Sequence, residues 1–471
     1  MNLSQGNLTI RNARSSDAKQ LCIWWNDGKI MAHAGFPNGL NIKPEKIRES
    51  IATNSDETHR LHVIEIGGVP IGEMNYRNMG DHVAEIGIKI CDFTQQEKGM
   101  GTNLLAMFID ALFEYYGYEK IILDTNVKNE RAQHVYENKL GFKRVRLHEN
   151  AWTDQLGELQ SAIDYELTKA DWQNGCHKPH DYLHLRQERP DDHFAVESVT
   201  REAHWCGNWE MQPQICDTHL LVHRLRECSS YVPTLHYVAE MNKKLVGHIM
   251  YCTSKIVDVT GQTYETLTFG PLSVLPEFKN RGIGKALMRH TFGEAKNLEI
   301  VHPSGDSALI QPKYRAILIF GHPDYYPRVG FHPASEFDIT DADGNSYDPF
   351  MALPLYEGAL NGISGKYYID AAYENLVQED IDAYDKKFPS KEVHIPISID
   401  VLLDRLAPSA QKALEGIKGK SLMIMQTKSE REISTMVGID SDTIDMIRTV
   451  MQEHGFSWGK PSKKTSHTNG G

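Results

Sequence analysis

The sequence lacks the cysteine patterns that support disulfide bonds or a metal centre. Its seven cysteines are an odd number, and no two of them form a C-x-x-C pair. Scattered, odd-numbered cysteines are typical of a reducing compartment, whereas small secreted proteins carry even sets at regular spacing. We therefore expect no disulfide framework, no metal ion and a cytoplasmic location.

Long apolar runs and an excess of positive charge are also missing. No apolar stretch approaches the roughly 20 residues that cross a bilayer, and the first five residues lack the charged-then-apolar pattern of a signal peptide. We expect no membrane association. The net charge of −13 disfavours non-specific binding of nucleic acid by the whole chain. It is compatible with a cationic substrate, although many soluble proteins are equally acidic.

Two glycine-rich turns stand out in this 471-residue chain, whose length predicts two to four domains. One turn runs from Gln96 to Gly101 and the other from Lys279 to Gly284, each between a strand-like and a helix-like run. Glycine lets the backbone approach a ligand closely, and a helix start offers free N–H groups and positive potential. Both turns are therefore suited to phosphate. Two copies in one local context indicate an internal repeat.

The first third, residues 1–172, predicts a definite order of elements. A strand at Leu8–Arg11 and two helices precede a hairpin around Gly67-Gly68. A strand from Ala84 to Ile90, the first turn, a helix, a further strand and another helix follow. The segment closes on a strand that begins at Gly141-Phe142.

Two motifs in this order resemble the GNAT superfamily of N-acetyltransferases, within it the ribosomal-protein alanine and aminoglycoside acetyltransferases. One motif is Q-x-x-G-x-G, and the other is N-x-R-A followed by Tyr and Gly-Phe. They fall on these positions: Gln96, Gly99, Gly101, Asn129, Arg131, Ala132, Tyr136, Gly141 and Phe142. The resemblance implies an α+β fold with a mixed, mostly antiparallel sheet. It also implies metal-free transfer of acetyl from acetyl-coenzyme A to a primary amine by direct attack in a ternary complex.

The resemblance also implies roles for individual residues. The pyrophosphate would lie on the N–H groups of Lys98 to Thr102, and Asn129 would bond the cofactor arm. Tyr136 would protonate the leaving thiolate, the alternative being a packed aromatic ring. Glu85 or Glu73 would accept the amine proton, although either is equally an ordinary strand carboxylate. The cofactor-binding residues expected in this domain are Gln96, Lys98, Gly99, Met100, Gly101, Thr102 and Asn129.

A second copy of the pattern follows a linker at 173–180 and occupies residues 181–390. Its G-H-P-x-Y-Y-P-R-x-G-F ending, Gly321–Phe331, resembles a group of predicted N-acetyltransferases. By that resemblance Tyr326 is the acid and Tyr325 its rival. Residues 299–313 are expected to be an insertion. The cofactor-binding residues expected here are Leu272, Val274, Lys279, Arg281, Gly282, Ile283, Gly284 and Lys285.

Short helices fill residues 394–458 and precede a tail, 459–471, that is expected to be disordered. This module resembles the C-terminal domain of the RNA polymerase α subunit, which implies a helix-hairpin-helix that contacts DNA phosphate. Gly438 is kept, but Asp440 stands where a second glycine is usual and would repel a phosphate. Nucleic-acid contact is therefore possible but less favoured than protein docking or a structural role.

The leading interpretation is an N-acetyltransferase with two coenzyme-A-binding folds in tandem. The alternative is a regulator that senses coenzyme A and docks through its C-terminal module. The sequence leaves open the identity of the amine, whether both sites turn over, and the oligomeric state.

Overall fold

The structure is a computed structural model. It describes residues 1–96, 99–175, 181–205, 216–298, 313–391, 397–420, 422–427 and 430–454. Packing divides the chain into two compact units, one formed by 1–199 with 229–370 and the other by 200–228 with 371–471. Both turn-bearing halves therefore share one unit. The boundaries expected at 181, 390 and 394 do not coincide with this division, because 371–391 packs with 200–228.

In the first half, strands and helices follow the expected order, with one additional strand at the start and another at the end. The strands are β1 (Asn2–Gln5), β2 (Leu8–Asn12), β3 (His59–Ile66), β4 (Val69–Asn78), β5 (Val83–Ile90), β6 (Lys120–Asn126), β7 (Lys143–Thr153) and β8 (Leu159–Thr168). The helices are α1 (Ala18–Trp25), α2 (Gly28–Met31), α3 (Pro44–Ala52), α4 (Met100–Glu114), α5 (Glu130–His134) and α6 (Lys169–Asn174).

The second half repeats the pattern. Its strands are β9 (Leu183–Gln187), β10 (Tyr237–Met241), β11 (Lys244–Val257), β12 (Thr263–Val274), β13 (Ala316–Phe320), β14 (His332–Pro333), β15 (Ile339–Thr340), β16 (Phe350–Pro354) and β17 (Gly365–Tyr368). The helices from here to the C-terminus are α7 (His193–His204), α8 (Thr218–Leu225), α9 (Ile283–Lys296), α10 (Gln378–Asp385), α11 (Asp400–Leu403), α12 (Pro408–Ala413), α13 (Glu430–Ser434) and α14 (Ser441–Glu453).

The additional strand β1 joins the two halves into one sheet. It pairs antiparallel with β2 on one edge and with β9 on the other. Pairing then runs from β2 through β3, β4, β5, β6 and β8 to β7, and from β9 through β10, β11, β12 and β13 to β16. Within this series only β5–β6 and β12–β13 are parallel, which confirms the mixed, mostly antiparallel sheet expected from the sequence.

A charged cluster at the first strand of each half shows the duplication in detail. The Arg11 guanidinium donates to Asp17 at 2.7 and 2.8 Å and to Glu65 at 2.7 Å. Arg186 makes the same bonds to Asp192, at 2.6 and 2.9 Å, and to Glu240. Both clusters arise from the sequence pattern R-x-x-R-x-x-D. The sequence analysis gave this pattern no role.

Each half has its own core beneath the helix that follows its turn. Apolar residues all round α4 are buried, among them Met107, Phe108 and Phe113. The helix is covered on its outer side as well, where Asp110 accepts hydrogen bonds from Trp172 and Tyr182. A helix enclosed on both sides requires apolar residues all round. The α9 core in the second half is separate from it.

The linker was predicted to start too early, and several other predictions fall outside the described residues. Gln173 and Asn174 are not linker, because Thr168 caps α6 through the backbone N–H of Asp171 and the helix continues to Asn174. The remaining linker residues 176–180 lie outside the described residues, as do most of the expected insertion, 299–312, and the tail. No described helix is long and apolar enough to cross a membrane.

The second unit has two apolar clusters. Arg201 is buried and donates to both oxygens of Asp385, at 2.5 and 2.9 Å, which ties α7 to α10. Helices α11 to α14 surround a core of their own. Two of these helices are short, since α11 covers four residues and α13 five.

A buried imidazole in the first core makes stability depend on pH. His62 is fully buried between Tyr76 and Phe108, and neither ring nitrogen has a hydrogen-bond partner of normal geometry among the described residues. Burial therefore lowers the pKa of His62 well below its usual range. The unfolded chain binds a proton at about pH 6.5 that the folded chain cannot hold, so stability falls as the pH drops below that value.

We expect His62→Phe to remove this part of the acid sensitivity, which amounts to about 1.4 kcal/mol per pH unit between the two pKa values. Urea unfolding at pH 7.5 and pH 5.5 measures it, with the exposed His33 changed to Phe as the control. An equal loss of stability on acidification in the wild type and in His62→Phe would contradict this account.

Candidate active sites

In both halves the sheet opens between its two parallel strands. Strand β5 pairs with β6 only over Val83–Glu85 and then diverges from it, although β5 continues to Ile90. In the second half β12 and β13 meet only at Leu267 and Ile317, and β12 continues to Val274. Beyond these points the edge of each longer strand has no ladder partner among the described strands.

The first glycine-rich turn leaves the start of α4 uncapped. Gly99 is the N-cap residue with φ of +72°, a conformation that favours glycine, and no side chain caps the helix. A Cβ at Gly101 would meet nothing within 4 Å. Helices α5, α6 and α14 are instead capped by Asn129, Thr168 and Asp440. The first N–H groups of α4 are therefore available to an anion. Lys98 lies outside the described residues.

The second turn has the same geometry and more positive charge. Gly282 caps α9 with φ of +80° and no side-chain bond. Lys279, Arg281 and Lys285 are all exposed around it. The turn also lies against β12, because a Cβ at Gly284 would be 3.6 Å from Leu272 and 3.9 Å from Val274. Strand and turn are therefore neighbours, and Ile283 is buried.

Gln96 and Asn129 serve the architecture of the first turn. The Gln96 amide donates to the Ile90 carbonyl at 2.9 Å, and its oxygen accepts from Arg131 at 3.3 Å. The oxygen of Asn129 accepts from the backbone N–H of Ala132 at 3.2 Å. The two sequence motifs are thus joined directly through Arg131, a residue to which the sequence analysis gave no role.

Tyr136 and Tyr326 occupy equivalent places. The Tyr136 carbonyl accepts from the Phe142 N–H at 2.9 Å, and that of Tyr326 accepts from the Phe331 N–H at 3.3 Å. Each ring also packs on that phenylalanine, with centroids 5.9 and 5.6 Å apart. The first segment has one more residue between tyrosine and phenylalanine. A π-helical turn over Val135–Lys139, where the second half has a 3₁₀ turn, accommodates that residue.

Burial raises the pKa of both phenols to about 12. Both therefore stay protonated over the whole neutral range and are available as proton or hydrogen-bond donors. Tyr325 differs from them, since its ring is 40% exposed and its hydroxyl lies 3.2 Å from where a Cβ of Gly284 would be. Tyr325 thus reaches over the second turn, whereas Tyr326 lies beneath it among aromatic rings.

Three carboxylates lie near the opening of the first sheet. Asp124 on β6 is directly opposite Asp164 on β8, a like-charge pairing that destabilises a sheet by itself. Partial desolvation, together with Glu85 and Asp164, raises the pKa of Asp124, although the surface of the residue is exposed. Glu85 also pairs with Arg77 at 3.2 Å. The sequence analysis selected Glu85 but missed Asp124 and Asp164, whose alternation with apolar residues on neighbouring strands was the available signal.

Glu73, the other candidate base, is held in a closed cluster. Its side chain is 3% exposed, and its two oxygens accept from Lys89 Nζ at 2.8 Å and from the Trp25 indole N–H at 2.7 Å. Across the described ranges, no group of three or more His, Cys, Asp or Glu side chains is arranged to hold a metal ion.

The Glu73–Lys89 pair yields a prediction about stability. We expect Lys89→Met to destabilise the first half by about 3 kcal/mol, because it leaves a buried carboxylate without its cation. Adding Glu73→Gln should restore most of the loss, since the amide carries no charge. Thermal unfolding of both variants measures the difference. A double variant no more stable than Lys89→Met alone would contradict the assignment.

Comparison with known proteins also finds two similar domains in this chain. Two models of the acetyltransferase (GNAT) domain match, one at residues 7–143 and the other at 233–333. The uncharacterized N-acetyltransferase YhbS of Escherichia coli K12 is 27% identical over 146 residues, which are 31% of this chain and 76% of that protein. The uncharacterized N-acetyltransferase YjhQ of the same strain is 30% identical over 117 residues, 24% of this chain and 55% of that protein.

Solved structures match as well. The GNAT family N-acetyltransferase YhbS from E. coli in complex with CoA has a TM-score of 0.33 and 21% identity, over 41% of this chain and 92% of that one. Spermidine N-acetyltransferase from Vibrio cholerae, in complex with CoA and spermine, has a TM-score of 0.33 and 23% identity, over 36% and 100%. On the strength of the two domain matches, this chain is an acyltransferase that carries two acetyltransferase domains of the GNAT family in tandem.

Proposed function

We propose that the protein is an N-acetyltransferase that moves acetyl from acetyl-coenzyme A to a primary amine, at a site in each domain. One observation carries the proposal. In each domain an uncapped helix follows a strand that has lost its parallel partner, and a tyrosine, buried in the first domain and partly buried in the second, lies in the segment after the next strand.

The cofactor fits this arrangement in two parts. Its pyrophosphate would lie on the N–H groups of Met100, Gly101 and Thr102, where the helix dipole adds positive potential. In the second domain Lys279, Arg281 and Lys285 supply charge for the phosphates. The pantetheine arm would follow the free edge of β5 or β12 into the opening. Glycine stands at the N-cap of both helices, so no side chain competes with an anion for these N–H groups.

The reaction needs a hydrogen-bond donor at the sulfur. The amine attacks the thioester carbonyl, and the thiolate leaves as the carbon–sulfur bond breaks. Tyr136 and Tyr326 would act as general acids at the sulfur. Because a free thiol has a pKa of about 8.5, a phenol with a pKa of about 12 contributes mainly as a donor to the developing charge.

The acceptor must give up a proton before it attacks, and the first domain supplies carboxylates for this. Glu85 and Asp124 would hold the ammonium and receive its proton. The raised pKa of Asp124 makes it a stronger base than an ordinary aspartate. The carboxylates of Glu85, Asp124 and Asp164 favour a positively charged acceptor. A cationic acceptor also fits the net charge of −13.

The alternative, a regulator with a DNA-binding module, receives less support from the side chains. Asp440 caps α14 through the N–H of Thr443 at 2.8 Å. Arg448 is engaged by Glu430 and Asp445. Residues 397–454 contain nine acidic and seven basic side chains. These features favour protein docking or a structural role over contact with phosphate.

We expect Tyr136→Phe and Tyr326→Phe each to lower the turnover of its own domain about 10- to 100-fold, because each loses the donor at the sulfur. Thiol release from acetyl-coenzyme A in the presence of polyamine, peptide and aminoglycoside acceptors measures this. The buried Tyr118, changed to Phe, is the control. Full turnover in a variant that carries both changes would exclude the role.

We expect two molecules of coenzyme A to bind per chain and Gly101→Glu to reduce this to one. The new carboxylate would repel phosphate, while the open space around Gly101 leaves the fold intact. Isothermal titration calorimetry gives the stoichiometry. The matched change in the second turn is Lys285→Glu at an exposed position. Two molecules still bound to Gly101→Glu would contradict the location of the first site.

A further inference from the structure

The second domain carries an exposed tyrosine at its glycine-rich turn that the proposed reaction does not use. Tyr325 is 40% exposed, and its hydroxyl makes no hydrogen bond to any of the described residues. The ring packs edge-on against Tyr326, with centroids 5.2 Å apart. This contact holds the ring in place, while the hydroxyl remains available to a ligand.

The hydroxyl of Tyr325 lies at the first turn of α9. It would be 3.2 Å from a Cβ at Gly284, the second residue of that helix. Side chains of Leu272 and Val274 on β12 approach the same point, at 3.6 and 3.9 Å. The hydroxyl is therefore close both to the helix start, whose N–H groups no side chain caps, and to the strand that would guide the pantetheine arm.

The surroundings of this hydroxyl favour an anion as its partner. Lys279, Arg281 and Lys285 are exposed around the turn, and the dipole of α9 adds positive potential. Desolvation raises the pKa of the Tyr325 phenol, so the hydroxyl stays protonated at neutral pH. A protonated hydroxyl among cations acts as a donor, and the charged phosphate oxygens are the strongest acceptors in coenzyme A.

The segment that carries Tyr325 differs in length from its counterpart in the first domain. Five residues, 321–325, separate β13 from the catalytic tyrosine, whereas nine, 127–135, follow β6. The longer segment includes Arg131, which donates to Gln96 at 3.3 Å and so connects it with the first turn. The shorter segment contains no arginine. Its contact with the turn is made by Tyr325 instead.

The first turn has nothing equivalent to this hydroxyl. A Cβ at Gly101 would meet no described atom within 4 Å. The residue before Tyr136 is Val135, whose side chain cannot donate a hydrogen bond. The hydroxyl at the turn is therefore a feature of the second domain alone.

We propose that Tyr325 binds the cofactor in the second domain, where its hydroxyl donates a hydrogen bond to the pyrophosphate of coenzyme A. The proposal rests on the proposed function of that domain. It assigns Tyr325 to binding rather than to proton transfer at the sulfur, and the sequence analysis gave Tyr325 only the role of a rival acid.

The test uses isothermal titration calorimetry on the full chain with Gly101→Glu, so that coenzyme A binds only to the second site. We expect Tyr325→Phe to raise the Kd of coenzyme A about tenfold, because the ring remains while a hydrogen bond to a charged group is lost. Adenosine 3′-phosphate 5′-diphosphate, which contains the pyrophosphate but no pantetheine, should lose affinity by a similar factor.

Steady-state kinetics separates the binding role from that of an acid. With polyamine, peptide and aminoglycoside acceptors, we expect Tyr325→Phe to raise the KM for acetyl-coenzyme A by a similar factor. The loss of an acid at the sulfur appears in kcat instead. A fall in kcat at unchanged KM would return Tyr325 to the role of an acid and overturn the proposal.

Tyr368→Phe is the matched control. Tyr368 is 37% exposed, its hydroxyl also makes no hydrogen bond to the described residues, and it lies opposite Lys255 of β11 in the same domain. The other end of β11 is at the turn, because Gly247 is opposite Val274. Eight residues of strand place Tyr368 about 26 Å away along β11.

Three results would each overturn the role of Tyr325 alone. They are an unchanged Kd in Tyr325→Phe, an equal loss of affinity in Tyr368→Phe, and a loss for coenzyme A that adenosine 3′-phosphate 5′-diphosphate does not share. Coenzyme A that binds to the wild type but not to Gly101→Glu shows that the second domain has no cofactor site. That result overturns the proposed function of the domain together with the role of Tyr325.

Discussion

In each domain, one pair of parallel strands is hydrogen-bonded over only a short stretch and then separates. Parallel strands β5 and β6 separate after Glu85, and β12 and β13 separate beside Leu267. Unpaired strand edges are unfavourable in a protein interior, so the opening persists only because the packing on both sides maintains it. Helices α4 and α9 supply that packing and start at the opening. The same helices therefore stabilise the core and present free N–H groups at the cleft.

Duplication has preserved the framework and changed the chemistry at its centre. The arginine–aspartate–glutamate cluster, the uncapped turn and the tyrosine–phenylalanine contact occur in both domains with similar distances. The differences concern charge and the side chains at the turns. The first domain has an acidic face and a closed ion pair at Glu73, and the second has a more cationic turn beside which the Tyr325 hydroxyl lies.

The sequence predicted the features that arise from local backbone requirements. Positive φ angles at Gly99 and Gly282 need glycine, so the turns were visible as motifs. Strand β1 was missed because it has four residues, and its main partner across the repeat, β9, begins about 180 residues later. The pairing of Asp124 with Asp164 was missed for a similar reason, since register between distant strands is not encoded locally. The start of the linker was predicted too early in the chain, because the N-cap of α6 at Thr168 was overlooked.

The sequence by itself determined the fold class, the repeat, both glycine-rich turns and the positions of the tyrosines, because each depends on a few neighbouring residues with particular conformational or chemical demands. Only the tertiary structure decided what each polar side chain does. Glu73 is enclosed, Gln96 anchors the turn to β5, Tyr326 rather than Tyr325 corresponds to Tyr136, and the hydroxyl of Tyr325 lies at the second turn. Their roles depend on burial and on partners from distant strands, and both arise only when the sheet is assembled.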